Sequence, residues 1–437
     1  MPPYSAFPKR LSIGSSQFDQ LRALLATVYG SNPFYTAKLD AAHSSSKIRH
    51  LGDFTESVPF TTKAEIVADQ LAHPPYGTNL TFPLARYSRL HQTSGTNGAP
   101  IRWLDTPESW EWMLRNWEQV YGAAGVQRGD RIFFAFSFGP FLGFWTAFEA
   151  AGRIGALCLA GGAMSSAARL RAIFDHQATV LCCTPTYAMR LAEVAVVEQI
   201  DLTNSPVKLI IVAGEPGGSI PATRARLEQL WPGARVSDHH GMTEVGPVTY
   251  ECPARPGVLH VIETSYIAEV IHPETGQPIE HGETGELVLT TLGRVGSPLL
   301  RYRTGDLVKP ALDTLCECGR CDLALEGGIL GRTDDMVIVR GVNIYPSAVE
   351  QIVRGCPAVT EFRVRVLTTN ALAEIEVEVE TGAGADAAAV VSQLQNDFET
   401  ALRLRVPVVV VAEGTLPRSE AKSRRVVRVG NEPLSQP

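Results

Sequence analysis

The sequence predicts an α/β protein, with a large N-terminal domain of α/β sheets that includes a β-rich subdomain, then a small α+β C-terminal domain. Three observations carry this. Strand-like apolar runs alternate with helix-like stretches from about Ala123 to Val212. After about Val258 the texture changes to short strands broken by turn signals such as His272–Gly276 (HPETG). From Asp334 onward, strand and helix patterns again alternate over about one hundred residues, a usual domain size. The expected boundaries are 1–333, with the β-rich part at about 258–333, and 334–437.

Along the chain, Phe18–Leu39 has helical spacing of its apolar residues up to Gly30. Arg131–Phe136, Leu157–Ala160, Val180–Cys183 and Lys208–Val212 read as strands. Stretches around Glu149, Ala167–His176 and Tyr187–Gln199 read as helices between them, the alternation of a mainly parallel sheet. Ile267–Ile271 and Glu286–Thr291 are short strands of the β-rich part. The C-terminal part reads as a strand (Met336–Val339), a helix from near Pro346, strands Arg363–Leu367 and Ala373–Glu380, a helix (Ala387–Leu402) and a last strand (Val406–Val411).

A length of 437 residues exceeds one ordinary domain. Hydrophobic residues at 45% against charged residues at 19% exclude a disordered chain. A formal charge of −7, from 39 basic and 46 acidic side chains, argues against a nucleic-acid partner. The only dense basic stretch is Arg418–Arg425 (RSEAKSRR), which by itself reads as a solvated surface segment. The N-terminal MPPYSAFPKRLSIGSS lacks the apolar core of a signal peptide. Ile132–Phe148 is uncharged, but Gly139-Pro140 sits at its centre and it runs into Glu149 and Arg153. It fits a buried strand, loop and helix better than a bilayer span. The expectation is a cytoplasmic protein with no membrane partner.

Four segments and a lysine-bearing tail carry polar chemistry. Thr93-Ser94-Gly95-Thr96-Asn97-Gly98 packs three hydroxyls and two glycines into one loop. Glycines let backbone N–H groups approach phosphate oxygens, and hydroxyls add donors. Read alone, the same composition suits an ordinary hairpin loop, and the Gly-Lys-Ser/Thr ending of a Walker loop is absent. Asp238-His239-His240-Gly241-Met242-Thr243-Glu244 sets an aromatic ring beside a tight turn, followed by hydroxyl and carboxylate that could stack a base and hold Mg²⁺. Asp306, in Tyr302–Asp306, follows a glycine turn and could accept ribose hydroxyls. Gly331–Asp335 and Arg340–Pro346 form the fourth group, and Leu416–Lys422 the last. Individually, a capped turn or a charged loop explains each.

In this order and at these separations, the segments resemble the adenylate-forming superfamily of acyl-CoA synthetases, adenylation domains and luciferases. The chain looks most like its phenylacetate–CoA ligase family, from Gln20–Leu39 and Pro59–Ile66 to Lys422. The resemblance implies that Thr93–Gly98 is the phosphate loop, with Asn97 replacing a more usual Thr. It implies that Glu244 holds Mg²⁺, that Thr243 lies near the α-phosphate, and that His240 stands where relatives carry Tyr against adenine. Asp238 and His239 share that segment. Gly214-Glu215-Pro216 would flank the adenine and acyl pocket, Asp306 would bind ribose and Arg332 would lie by the nucleotide. Asp334 would be the hinge of a mobile C-terminal domain. Lys422 would bridge carboxylate and α-phosphate, and Gly341 would border the thiol tunnel. Phe136, Phe138, Phe141 and Gly143 fall in the stretch that lines the aromatic-acid pocket of relatives, although simple core packing explains such rings equally well.

Eight cysteines are unevenly spread. Cys158, Cys182, Cys183 and Cys356 read as buried thiols, while Cys316, Cys318 and Cys321 cluster in LCECGRCD and favour metal over disulfides. In a metal-bearing branch of the resembled family, Cys316-x-Cys318 and Cys252 recur with a His that His260 matches. This would give a structural Zn²⁺ site, with Cys321 as an alternative ligand. The function implied is ATP-dependent activation of an aryl or arylacetic acid as acyl-AMP, then transfer to CoA. Transfer to a carrier-protein phosphopantetheine and a non-catalytic nucleotide-binding relative are the alternatives. Assembly as a homodimer is left open.

Overall fold

A computed structural model describes residues 8–43, 48–93, 100–280, 282–312, 315–335, 337–339, 342–369, 372–382, 384–418 and 425–429. The chain enters through α1 (Pro8–Val28), α2 (Pro33–Ala41), α3 (Leu51–Ser57) and α4 (Lys63–Ala72). Leu21, Leu24 and Val28 recur at helical spacing and are buried, so α1 docks by one face. Asn32 ends the link to α2, its side chain accepting from the Tyr35 N–H ahead of Pro33 in the first turn. A hairpin follows: β1 (Arg89–Gln92) pairs antiparallel with β2 (Arg102–Asp105). Helix α5 (Pro107–Ala124) is capped by Thr106 and stopped by Gly125 at φ +73°. It buries Trp110, Met113, Leu114, Trp117, Val120 and Tyr121, each worth about 1.5–3 kcal/mol of transfer free energy.

The central sheet comprises β3 (Arg131–Phe134), β4 (Leu157–Ala160), β5 (Val180–Cys183), β6 (Leu209–Ala213) and β7 (Arg235–His239). The strands are all parallel, in the order β4-β3-β5-β6-β7. Parallel pairing requires crossovers, supplied by α6 (Trp145–Arg153), α7 (Ser166–Asp175), α8 (Pro185–Val197) and α9 (Pro221–Leu230). The period-two alternation of strands splits the apolar side chains between two cores. Phe134, Cys182 and Ile211 face the α5 and α6 side, and Phe133, Leu181 and Ile210 face the α7, α8 and α9 side. The expected strands are thus present within two residues at each end; burial on both faces explains the unbroken apolar runs of β3, β5 and β6, whereas β4 is a partly exposed edge strand.

Beyond β7 the strands shorten. β8 (Gly241–Met242) pairs with β9 (Gly246–Pro247), and β10 (Thr249–Glu251) pairs with β11 (Val258–Val261). β12 (Tyr266–Ile271), β13 (Gly285–Thr291) and β14 (Tyr302–Val308) run antiparallel. β15 (Ala324–Glu326) returns to β11, and β16 (Gly331–Arg332) returns to β14.

The C-terminal domain has its own sheet and core. β17 (Val337–Val339) and β18 (Val342–Ile344) lead into α10 (Pro346–Arg354). β19 (Val359–Thr369) and β20 (Leu372–Thr381) form a long hairpin, followed by α11 (Ala387–Leu402) and β21 (Val408–Val411). The expectation that the run ending at Val411 is the last strand is corrected. β22 (Val426–Val429) adds parallel to β19, closing the order β18-β17-β20-β19-β22. Val349, Val353, Phe362, Val377, Leu394 and Phe398 meet in a core separate from those of the central sheet. Among the described residues, no helix is long and apolar enough to cross a membrane.

Candidate functional site

In a parallel α/β sheet, ligand sites gather beyond the carboxyl ends of the strands. Three expected site segments leave the central sheet at that edge. The loop with Phe136, Phe138, Phe141 and Gly143 follows β3, Gly214-Glu215-Pro216 follows β6, and His240–Glu244 follows β7. The β1–β2 hairpin joins them, because the Gln92 N–H donates to the Pro140 carbonyl at 2.8 Å. Thr93 closes the hairpin, its N–H donating to the Ile101 carbonyl at 2.9 Å. Ser94, Gly95, Thr96, Asn97 and Gly98 lie outside the described residues, as do Gly341 and Lys422.

Glu244 is buried, and the Tyr302 hydroxyl donates to its Oε1 at 3.0 Å. Thr243 is held from beneath: Arg294 Nη1 donates to its carbonyl at 2.8 Å. The same guanidinium binds both carboxylate oxygens of Asp105 at 2.7 and 2.6 Å, and both side chains are 0% exposed. This bidentate pair ties the foot of the hairpin to the Thr243–Glu244 turn. Tyr302 and Arg294 escaped the sequence reading as supports. The Arg294–Asp105 contact spans 189 positions, so no local pattern announces it.

Asp306 on β14 faces Arg332 on β16, which donates from Nη1 to Oδ1 at 2.9 Å and from Nε to Asp334 at 2.9 Å. Gly305, at φ +75°, makes this approach feasible, because a Cβ there would stand 2.9 Å from the Arg332 guanidinium. His240 Nε2 lies 3.1 Å from Asp306 Oδ2. The residue expected against adenine and the residue expected on ribose are therefore in contact. The His240 backbone N–H donates to Thr249 Oγ1 at 2.9 Å, which fixes the backbone at this position.

Asp238 and His239, the last residues of β7, are held by other partners. Asp238 is buried and accepts from Ser219 Oγ at 2.6 Å and the His239 N–H at 2.9 Å. His239 packs 4.4 Å from the Trp117 ring and is bonded through Nδ1 to the Thr249 carbonyl at 2.6 Å. Burial pushes its pKa down to about 3, so it is a neutral core imidazole. Glu215 turns to α8, where its Oε1 accepts from the Thr186 N–H at 2.8 Å.

The aromatic loop folds on itself. Phe136 meets Phe138, Phe141 and Phe144 edge-on at 5.2, 5.3 and 5.7 Å, and Phe138 meets Trp145 at 4.9 Å. Gly143 lies beneath Phe136, since a Cβ there would stand 2.1 Å from the ring. The loop therefore presents a wall of edge-packed aromatic rings beside the hairpin.

A second cluster gathers on β10, β11 and the loop ahead of β15. One ligand atom each from Cys252, His260, Cys316 and Cys318 lies within 4.8 Å of the others. Cys252 and Cys316 sulfurs are 3.4 Å apart, and Cys318 Sγ lies 3.5 Å from His260 Nε2. Ligand atoms around a tetrahedral Zn²⁺ sit roughly 3.6–3.8 Å apart, so the cage has the right size. His260 Nδ1 lies 3.1 Å from the Asp322 carbonyl, which leaves Nε2 turned to the cysteine sulfurs. Cys321 is buried outside this group.

Residues 90–293 match the AMP-binding enzyme family, and residues 341–428 match the AMP-binding enzyme C-terminal domain. The phenylacetate–coenzyme A ligase of Thermus thermophilus is 32% identical over 353 residues, 80% of this chain and 77% of that one. The Escherichia coli phenylacetate–coenzyme A ligase is 30% identical over 95% of this chain and 94% of its own. Among solved structures, 2-hydroxyisobutyryl-CoA ligase in the post-adenylation state with R3-HIB-AMP superposes with a TM-score of 0.90, at 28% identity, covering 98% of this chain and 94% of that one. The same ligase in the thioesterification state with 2-HIB-AMP and CoA gives 0.69, at 28% identity and the same coverage. The chain belongs to the AMP-binding, adenylate-forming enzymes, within the phenylacetate–coenzyme A ligase family.

Proposed function

We propose that the chain is an ATP-dependent, AMP-forming acid–CoA ligase for an aryl or arylacetic acid. The observation that carries this reading is the meeting of Thr243–Glu244, Asp306 and Arg332 beside the hairpin foot, at the carboxyl edge of the central sheet. A carboxylate is a poor electrophile and repels ATP, so the reaction needs in-line placement and positive charge at the α-phosphate.

In the first half-reaction a carboxylate oxygen of the acid attacks the α-phosphorus, and the bond to pyrophosphate breaks. Asp306 holds the ribose hydroxyls, with Arg332 keeping its carboxylate in place. His240 lies against the base, and Thr93–Gly98 grips the β- and γ-phosphates. Lys422 brings its ammonium to the carboxylate and α-phosphate. Glu244, a buried carboxylate, would supply a hard oxygen ligand for Mg²⁺. Bound there, the ion would neutralise charge on the phosphates. In the second half-reaction a thiolate attacks the acyl carbon and AMP leaves. The C-terminal domain, residues 334–437, turns about Asp334 and replaces Lys422 with the Gly341 strand.

The aromatic wall of Phe136, Phe138 and Phe141 suits a flat ring. It carries no charged side chain that would pair with a second substrate charge. Cys252, His260, Cys316 and Cys318 would hold a structural Zn²⁺, which would pin the loop ahead of β15.

The test is ATP–pyrophosphate exchange across aryl, arylacetic and short alkyl acids, followed by CoA. Exchange with an aryl or arylacetic acid and a CoA thioester are expected. No exchange with any acid sinks adenylation. Exchange without a thioester transfers the acceptor role to a carrier protein, and exchange confined to short alkyl acids removes the aryl assignment.

A further inference from the structure

Two arginines near the C-terminus stand on either side of Lys422 in sequence, and both reach from the C-terminal domain to α8. Arg418 Nη2 donates to Glu380 at 2.7 Å, and its Nε lies 3.5 Å from Glu193 on α8. The Glu380 side chain is 0% exposed and also accepts from the N–H groups of Gly414 and Leu416. Arg425 Nε donates to Glu361 at 2.8 Å, its Nη1 lies 3.6 Å from Glu350, and Nη1 donates to Thr186 Oγ1 on α8 at 3.3 Å. The expectation that Arg418–Arg425 is a solvated surface run is thus corrected at both ends, where the side chains are 22% and 12% exposed.

The α8 contacts share one face. Thr186, Met189, Arg190 and Glu193, at helical spacing, line a cleft whose other wall is Arg354, Thr360, Glu361 and Arg418. A third bond continues the seam: the Ala222 N–H, at the start of α9, donates to Gln351 Oε1 on α10 at 3.1 Å. The landing point matters chemically. The Thr186 N–H is held by Glu215, whose segment leaves β6 at the site edge. Burial alone would lower the pKa of Arg425, but the carboxylates of Glu350, Glu361 and Glu215 more than offset it. Two of these carboxylates, Glu350 and Glu361, belong to the C-terminal domain, so Arg425 keeps ion-pair partners when its contact with α8 is broken. The arrangement that makes these contacts superposes at 0.90 on a post-adenylation ligase and at 0.69 on the thioesterification form.

We propose that Arg418 and Arg425 are positioning residues for adenylation, a two-point clamp that fixes the C-terminal domain on α8 so that Lys422 is delivered to the nucleotide, and that opens for thioester formation. The proposal rests on the adenylating reading above, and the assays separate the two.

Exchange and thioester formation from supplied acyl-adenylate and CoA are measured for the wild type, Lys422→Ala, Arg425→Ala and Thr186→Val. Arg425→Ala is expected to lower exchange at least ten-fold, roughly the loss of a hydrogen bond to a charged group. Its thioester rate is expected to stay within about two-fold of the wild type. Thr186→Val acts from α8 and leaves the Arg425–Glu361 pair whole, so it also decides the matter if Arg425→Ala fails to fold. It should lower exchange about three-fold with an unchanged melting temperature. Parallel loss of both half-reactions in Thr186→Val, or unchanged exchange in it, overturns the clamp. Loss of exchange in Lys422→Ala with none in Arg425→Ala overturns the clamp alone. Absence of exchange in the wild type overturns the adenylating reading, and the clamp with it.

Discussion

Arg294 and Arg425 are both buried arginines paired with carboxylates, and they sit in regions with opposite demands. Arg294 lies beneath the Thr243–Glu244 turn, 0% exposed, with Asp105 and the Thr243 carbonyl as partners inside one domain. Arg425 lies at the junction, with Glu361 and Glu350 in its own domain and Thr186 across the seam. The first pair fixes a geometry that must not change during turnover. The second keeps its charge compensated on one side, so that the other side can let go. Position of the partners, not burial, separates a permanent brace from a releasable one.

The largest expected effect breaks the permanent brace. Arg294→Met leaves Asp105 buried without its ion pair, at a cost of about 3–5 kcal/mol. Urea unfolding should show this as a lower midpoint, whereas Arg425→Ala, measured alongside, should lose less stability than activity. An Arg294→Met protein as stable as the wild type would remove the contrast. Next comes the cysteine corner. Cys316→Ser should abolish bound zinc and lower the melting temperature, since a closed structural site contributes folding free energy. Metal analysis and a thermal melt check both, and a metal-free wild type of equal stability would count against the site.

A smaller effect concerns Glu244. Tyr302→Phe removes the hydroxyl that donates at 3.0 Å, and should weaken Mg²⁺·ATP binding by about 1 kcal/mol, roughly five-fold in KM. An unchanged KM at limiting Mg²⁺ would deny Tyr302 its supporting role. The smallest concerns pH. His239 has its folded pKa lowered to about 3 by burial, so below the usual histidine value the unfolded chain binds the extra proton. Stability contributed by neutral His239 is present above pH 6.5 and is lost as pH falls from there toward about 3. His239→Gln should flatten that part of the stability profile, and an unaltered slope would show that other groups govern it.

What the sequence displayed depended on the range of the interaction. The inner strands β3, β5 and β6 of the central sheet are short apolar runs buried on both faces, so pattern alone locates them. Asp306 and Arg332 were recognisable because each sits beside a glycine turn in a spaced series, and they meet on neighbouring strands. β22 was missed because Val426–Val429 is short, carries Arg428 and follows a basic run, and its partner β19 lies far back in the chain. Its pairing depends on a sheet already assembled. Asp238 and His239 share a segment with His240–Glu244, but β7 is buried from Val236 to His239, so both side chains are enclosed, one on each face of the strand, while His240 beyond it is only partly buried. The choice among the five metal candidates needed distances, because Cys316, Cys318 and Cys321 share one loop.

The most direct measurement compares the two half-reactions in Lys422→Ala. The wild type should exchange pyrophosphate with an aryl or arylacetic acid, and the variant should lose exchange but still form thioester from supplied acyl-adenylate and CoA. Equal retention of both activities in the variant would contradict this.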